Sequence, residues 1–207
     1  MRFVQAAARS GCAALCLLAL PTHAYAHTAA KGAGDFYAGL LHPVTALEHV
    51  LPFVTLGLLA GQQGTKAQSA VLVFALTLMA GAALALWVPA LPYVALVNIL
   101  SAVLLGILVA AAWRLPLTLF YGITALFGLS HGFANGTAMS EGLKPYLFIP
   151  GIGLAGLLTT AYGMIMTDFL LRQKANWMHI AVRVAGSWIA AIGLLVLATS
   201  ARTLLKA

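Results

Sequence analysis

Charge is what this chain lacks most. Of its 207 residues 7% are charged, and four are Asp or Glu. A water-facing domain carries roughly a quarter of its residues as charges. With so few there is no coat for a soluble globule, and lipid must be the solvent for most of the surface. Cysteine is nearly missing as well: the two present, Cys12 and Cys16, stand close to the start. Basic residues never cluster. The formal +7 charge is spread singly, without a patch or run, which argues against a nucleic-acid partner. Low-complexity tracts, a convincing internal repeat and a nucleotide-binding motif are also lacking.

What is abundant is apolar residues, 62% of the chain. They predict an all-α, polytopic membrane helix bundle of about six transmembrane helices embedded in a lipid bilayer. Residues 1–26 read as a secretory signal peptide. Arg2 and Arg9 form a positive n-region, residues 10–20 an apolar h-region too short to span, and Pro21 a helix break before the A-x-A site Ala24-Tyr25-Ala26. An uncleaved first helix is the competing reading. Cleavage would make His27 the mature N-terminus, outside the cytoplasm, and would remove both cysteines, and with them disulfides and thiolate metal sites. Residues 27–207 then form a single transmembrane helical domain.

Six apolar runs follow, at 38–61, 67–88, 92–113, 115–134, 145–171 and 177–200. Each is near the ~20 residues that cross ~30 Å of hydrocarbon. Trp87, Tyr93, Trp113, Tyr146 and Trp177 sit beside the breaks, as an aromatic belt requires. With the N-terminus outside, the inner loops hold Lys66, Arg114, Arg172 and Lys174, and Arg183 can snorkel to that side. The outer loops hold Lys144 beside Glu141. Arg202 and Lys206 at the C-terminus go against the rule. This places the protein in the bacterial inner membrane.

The chemistry must lie in groups that lipid excludes. In the first run these are His42, Glu48 and His49, within His42-Pro43-Val44-Thr45-Ala46-Leu47-Glu48-His49. On one continuous helix, a spacing of seven puts both histidines on the same face, about 10 Å apart. Glu48 then projects toward a neighbour, and Pro43 falls in the first turn, where its missing N–H costs little. In the fourth run His131 and Asn135 form an i,i+4 pair flanked by Gly128, Gly132 and Gly136, which let another backbone approach closely. Both runs place imidazoles toward the outer face.

Intramembrane ionisable groups are costly and mark function, and imidazole suits Ni, Co, Zn and Cu, with a carboxylate to complete or orient a site. The bland alternative is that these groups hydrogen-bond helices together. Asn135 reads more readily as a helix C-cap than as a ligand. Asp168 can pair with Arg172 at i+4, and Met164 and Thr160, each one turn further back, could line an exit path. Asn98 and Ser101 share a face of the third helix and are expected to bridge helices. His179 reads as interfacial.

Residues 36–64, with the motif at His42 to His49, resemble the first-helix signature of the HupE/UreJ family, HPxxGxDH. Gly128-Leu129-Ser130-His131-Gly132-Phe133-Ala134-Asn135-Gly136 resembles its second motif, HGxAHG. The sequence departs at Ala46 (glycine in the family), Glu48 (aspartate), Asn135 (histidine) and Ala138 (commonly acidic). Thr160 lies near an expected fifth-helix histidine. The resemblance implies a nickel or cobalt permease linked to hydrogenase or urease maturation proteins. It implies His42, Glu48, His49 and His131 as metal-handling residues, with His27, Asn135 and Asp168 as weaker candidates.

The expected activity is secondary permeation of a divalent ion, not an enzymatic reaction. No prosthetic group is expected: the Ni or Co ion, or Zn, is bound or carried as cargo. Two alternatives stay open. One is a non-transporting accessory or sensor. The other is an intramembrane zinc hydrolase with Glu48 as base, although no HExxH spacing supports it.

Overall fold

The computed structural model describes residues 34–173, 175 and 177–204. The signal-peptide reading, His27, Lys174 and Lys206 lie outside them. Among the described residues there are seven α-helices, one 3-10 helix (Thr65–Ala67) and no strand. The helices are α1 (Asp35–Thr45), α2 (Leu47–Gln63), α3 (Ala70–Leu84), α4 (Val94–Ala111), α5 (Leu117–Thr137), α6 (Pro145–Leu171) and α7 (Trp177–Leu204). Helices satisfy every backbone group within the segment, as lipid demands. Five spans are long and apolar enough to cross a membrane, and α1 with α2 supplies a sixth when taken together.

That first span is not the single helix that the apolar run suggests. Its two parts meet at 78°. The break is at Ala46, an extended residue at φ −101°, ψ 113°. Pro43 lies in the last turn of α1, not the first, and its missing N–H removes the helical hydrogen bond to the Gly39 carbonyl just before the break. Thr45 Oγ1 shares its proton between the carbonyls of Leu41 (2.9 Å) and His42 (3.2 Å) in the last turn of α1. Alanine suffices where the family has glycine, because any residue adopts this extended conformation.

The extensive packing contacts run α2–α6, α6–α3, α3–α5, α5–α4 and α4–α2, which closes a ring of five helices; α7 packs outside on α4 and α1 on α6. Small residues draw the ring tight. Gly128, Gly132 and Gly136 lie against Thr77, Leu78 and Ala82 of α3, and a Cβ at Gly132 would strike the Leu78 carbonyl. This is the close approach expected of the glycines on this helix. Gly57 and Gly163 do the same between α2 and α6. Phe53, Leu56, Leu59, Phe74, Leu78, Leu105, Phe120 and Ile152 fill the interior, none more than 2% exposed.

Polar bridges mark the two ends. At one, Gln63 Nε2 donates to the Trp113 carbonyl (2.9 Å), and the Leu115 amide donates to Gln63 Oε1 (2.9 Å). There too Tyr121 donates to the Lys66 carbonyl, and Arg183 Nε donates to the Ala110 carbonyl at 2.7 Å. Lys66, Arg114 and Arg183 therefore share one end. At the other end Asp35 Oδ2 accepts from the Lys144 amide (3.1 Å), which places a carboxylate at the start of α6, where the helix dipole favours it.

Candidate metal-handling site

The broken span changes how the first motif is read. His42 and His49 do not stand two turns apart along one axis. The bend brings them together as neighbours from two helices, with ring centroids 6.2 Å apart. His42 is half-buried and also packs against Phe148 of α6, at 6.0 Å between rings. Glu48 is not deep. It sits in the first turn of α2 with its side chain 54% exposed, and Oε1 lies 3.9 Å from Nε2 of His49, whose side chain is 6% exposed. A carboxylate there offsets the positive end of α2, which would otherwise repel a cation.

From α2, His49 reaches across the interior of the ring to α5. Its Nδ1 is 3.1 Å from Nδ1 of His131, a fully buried residue. The other nitrogen of His131, Nε2, is 2.8 Å from Ser101 Oγ on α4. Both His131 nitrogens are thus engaged. Ser101 donates in turn to the Asn98 carbonyl (2.6 Å), and Ser130 donates to Asn98 Oδ1 (2.7 Å). The bridging expected of Asn98 and Ser101 is therefore present, and it ends on the buried histidine. Ser130 was not singled out from sequence; its place beside His131 is the one signal it carries.

Phe53, one turn beyond His49 on α2, stacks edge-on to His131 (5.4 Å) and to Phe74 of α3 (4.8 Å). These two rings floor the histidine pair. Further along α2, the gap bordered by Leu56, Gly57, Ala60, Ala70, Val71 and Thr160 is too tight for a water molecule. Passage from the histidines along α2 through this gap requires side chains or helices to move.

The remaining candidates separate. Asn135 is not a C-cap: it is fully buried inside α5, whose C-cap is Ala138. Its Nδ2 donates to the His131 carbonyl (2.7 Å), while Oδ1 is buried with no hydrogen-bond partner. Asp168 accepts from Arg172 Nε at 2.8 Å, the i,i+4 pair the spacing suggested. It lies 20 residues beyond Phe148, or about 30 Å along α6. Thr160 turns its hydroxyl back onto the Gly156 carbonyl (2.6 Å). His179 is exposed in the first turn of α7. Among the described residues, no three His, Cys, Asp or Glu side chains gather closely enough to hold an ion between them.

Comparison with known proteins finds one family and one curated relative over most of the chain. The profile of the family described as HupE / UreJ protein matches residues 15–196. Protein HupE of Rhizobium leguminosarum bv. viciae is 28% identical over 180 residues, covering 86% of this chain and 92% of that protein. No solved structure matches.

Proposed function

Because the chain belongs to the HupE / UreJ family, we propose that it is a secondary permease for a divalent transition-metal ion, nickel or cobalt, across the bacterial inner membrane. The observation that carries this reading is the His49–His131 pair, buried where α2 and α5 face one another, with Glu48 standing beside it on the exposed side. Imidazole and carboxylate suit such ions. A donor set that stays open and incomplete suits transport, since a closed four-ligand site would hold its ion.

The ion enters from the end that carries Asp35 and Lys144, taken as the outer face. It is captured by the free amine and imidazole of His27 after cleavage of the signal peptide. It then exchanges waters for His42, Glu48 and His49. Phe53 must swing aside for the ion to pass inward. The membrane potential supplies the drive: a divalent cation gains about 4.6 kcal/mol per 100 mV on moving inward. The delivered ion would serve hydrogenase or urease maturation proteins.

The test is uptake of radiolabelled Ni²⁺ and Co²⁺, comparing the wild type with His42→Ala and His49→Ala at equal membrane abundance. Each substitution is expected to lower uptake at least tenfold. Wild-type uptake by both variants refutes this permeation site, and no uptake by the wild type above that of membranes lacking the protein refutes the permease. The absence of a three-donor cluster among the described residues favours a second reading, a metal-binding accessory or sensor. Stoichiometric bound metal without uptake in the wild type would establish it.

A further inference from the structure

The hydrogen bonds around His131 run in one direction, and the direction has a chemical consequence for His49. Ser101 Oγ lies 2.6 Å from the Asn98 carbonyl oxygen, and two oxygens so close repel unless a proton lies between them. Ser101 has one hydroxyl proton, so it is committed to that carbonyl. Towards Nε2 of His131, at 2.8 Å, Ser101 can then only accept, and Nε2 carries the proton. A neutral imidazole with Nε2–H has its lone pair on Nδ1. That atom is 3.1 Å from Nδ1 of His49, which must therefore be the donor. His49, protonated at Nδ1, keeps its lone pair on Nε2. The nearest carboxylate oxygen, Oε1 of Glu48, lies 3.9 Å from it.

We propose that Ser101, held by the Asn98 carbonyl, is a positioning residue that sets the tautomers of His131 and His49 and so presents the lone pair of His49 Nε2 to a cation beside Glu48. His131 then orients the ligand and does not bind the ion itself. The spacing fits. Two donors each ~2.1 Å from an ion are about 3.0 Å apart at a right angle and about 4.2 Å apart when opposed, so 3.9 Å lies within the range. Ser130, donating to Asn98 Oδ1 at 2.7 Å, pins the α4 end of the relay to α5. Metal-ligating histidines are characteristically oriented in this way through their second nitrogen.

The inference deepens the permease reading and rests on it for the identity of the cation, but the tautomers can be read without any metal. The experiment is ¹⁵N NMR of the full chain, histidine-labelled, in detergent and stripped with chelator, with His49→Ala and His131→Ala used to assign signals. In the wild type, His131 is expected to be protonated at Nε2 and His49 at Nδ1. Ser101→Ala removes the acceptor, so the order inverts and a proton covers His49 Nε2. Affinity for Ni²⁺, measured by titration calorimetry on the same protein, is expected to fall about 10- to 100-fold. Ser101→Thr keeps the hydroxyl and is expected to restore both readouts. If that variant does not reach the membrane, wild type and Ser101→Ala decide alone. A proton on His49 Nε2 in the wild type overturns the proposal, as does a Ser101→Ala protein with wild-type tautomers and affinity. The stated tautomers without any Ni²⁺ or Co²⁺ binding would support the relay and overturn the permease.

Discussion

Neutralising Glu48 tests the site most directly, because the structure lets the effect be sized beforehand. An ion held between His49 Nε2 and Glu48 Oε1 stands closer to Oε1 than the 3.9 Å that separates the two donors, so a distance of about 4 Å gives a lower bound on the effect. A divalent cation and a carboxylate about 4 Å apart attract by about 2 kcal/mol in water and about 8 kcal/mol at an effective dielectric constant of 20. The Glu48 side chain is 54% exposed, so the lower figure applies. About 2 kcal/mol is about 30-fold in affinity. Glu48→Gln should therefore raise the KM for Ni²⁺ uptake into inverted or right-side-out vesicles, whichever orientation takes up the ion, at least about 30-fold. Glu48→Asp draws the charge back by one methylene, roughly 1.5 Å, and should keep partial function, since the attraction falls only as the inverse of distance. An unchanged KM in Glu48→Gln would refute the placement of the cation between Glu48 and His49.

Three further outcomes follow from the arrangement. Protons and a metal ion compete for the same imidazole lone pairs, so Ni²⁺ bound at neutral pH should be released on acidification, with protons taken up by the protein as it leaves; release without any proton uptake contradicts imidazole ligation. N-terminal sequencing should begin at His27, and reporter fusions after Gln63 and Arg172 should report cytoplasm while one after Gly142 reports the outer side; a cytoplasmic signal at Gly142 inverts the capture model. Gly132→Ala drives a Cβ into the Leu78 carbonyl and should cost about 1–3 kcal/mol. Gly122→Ala, which meets nothing within 4 Å, should be neutral or gain up to about 1 kcal/mol. Thermal unfolding in detergent would show the contrast, and equal melting temperatures would contradict the tight α3–α5 contact.

Much of the architecture could be read from residues in order along the chain. The scarcity of charge selects lipid as solvent, and apolar runs of spanning length mark the helices, whose observed bounds differ by a few residues at their ends. Lys66 and Arg114, from their loop positions, and Arg183, by snorkelling from α7, fall at one end of the bundle as expected. The Asp168–Arg172 pair follows from an i,i+4 spacing, and the glycines on α5 from their own periodicity. All of these are local properties: hydropathy, period and charge need no knowledge of distant residues. The bend at Ala46 was the first thing hidden. Pro43 is ambiguous in sequence, because the same residue is harmless in a first turn and disruptive in a last one, and which applies depends on where α1 begins. That start, at Asp35, is tied to the Lys144 amide more than a hundred residues away. The meeting of His49 with His131, and of His131 with Ser101, was hidden for a related reason. It joins α2, α5 and α4 across a ring that closes only when glycine surfaces on several helices come into contact, and contact between distant helices leaves no periodic signal in any one of them. Residue identities therefore determined which polar groups this membrane protein carries, and tertiary packing decided which of them meet.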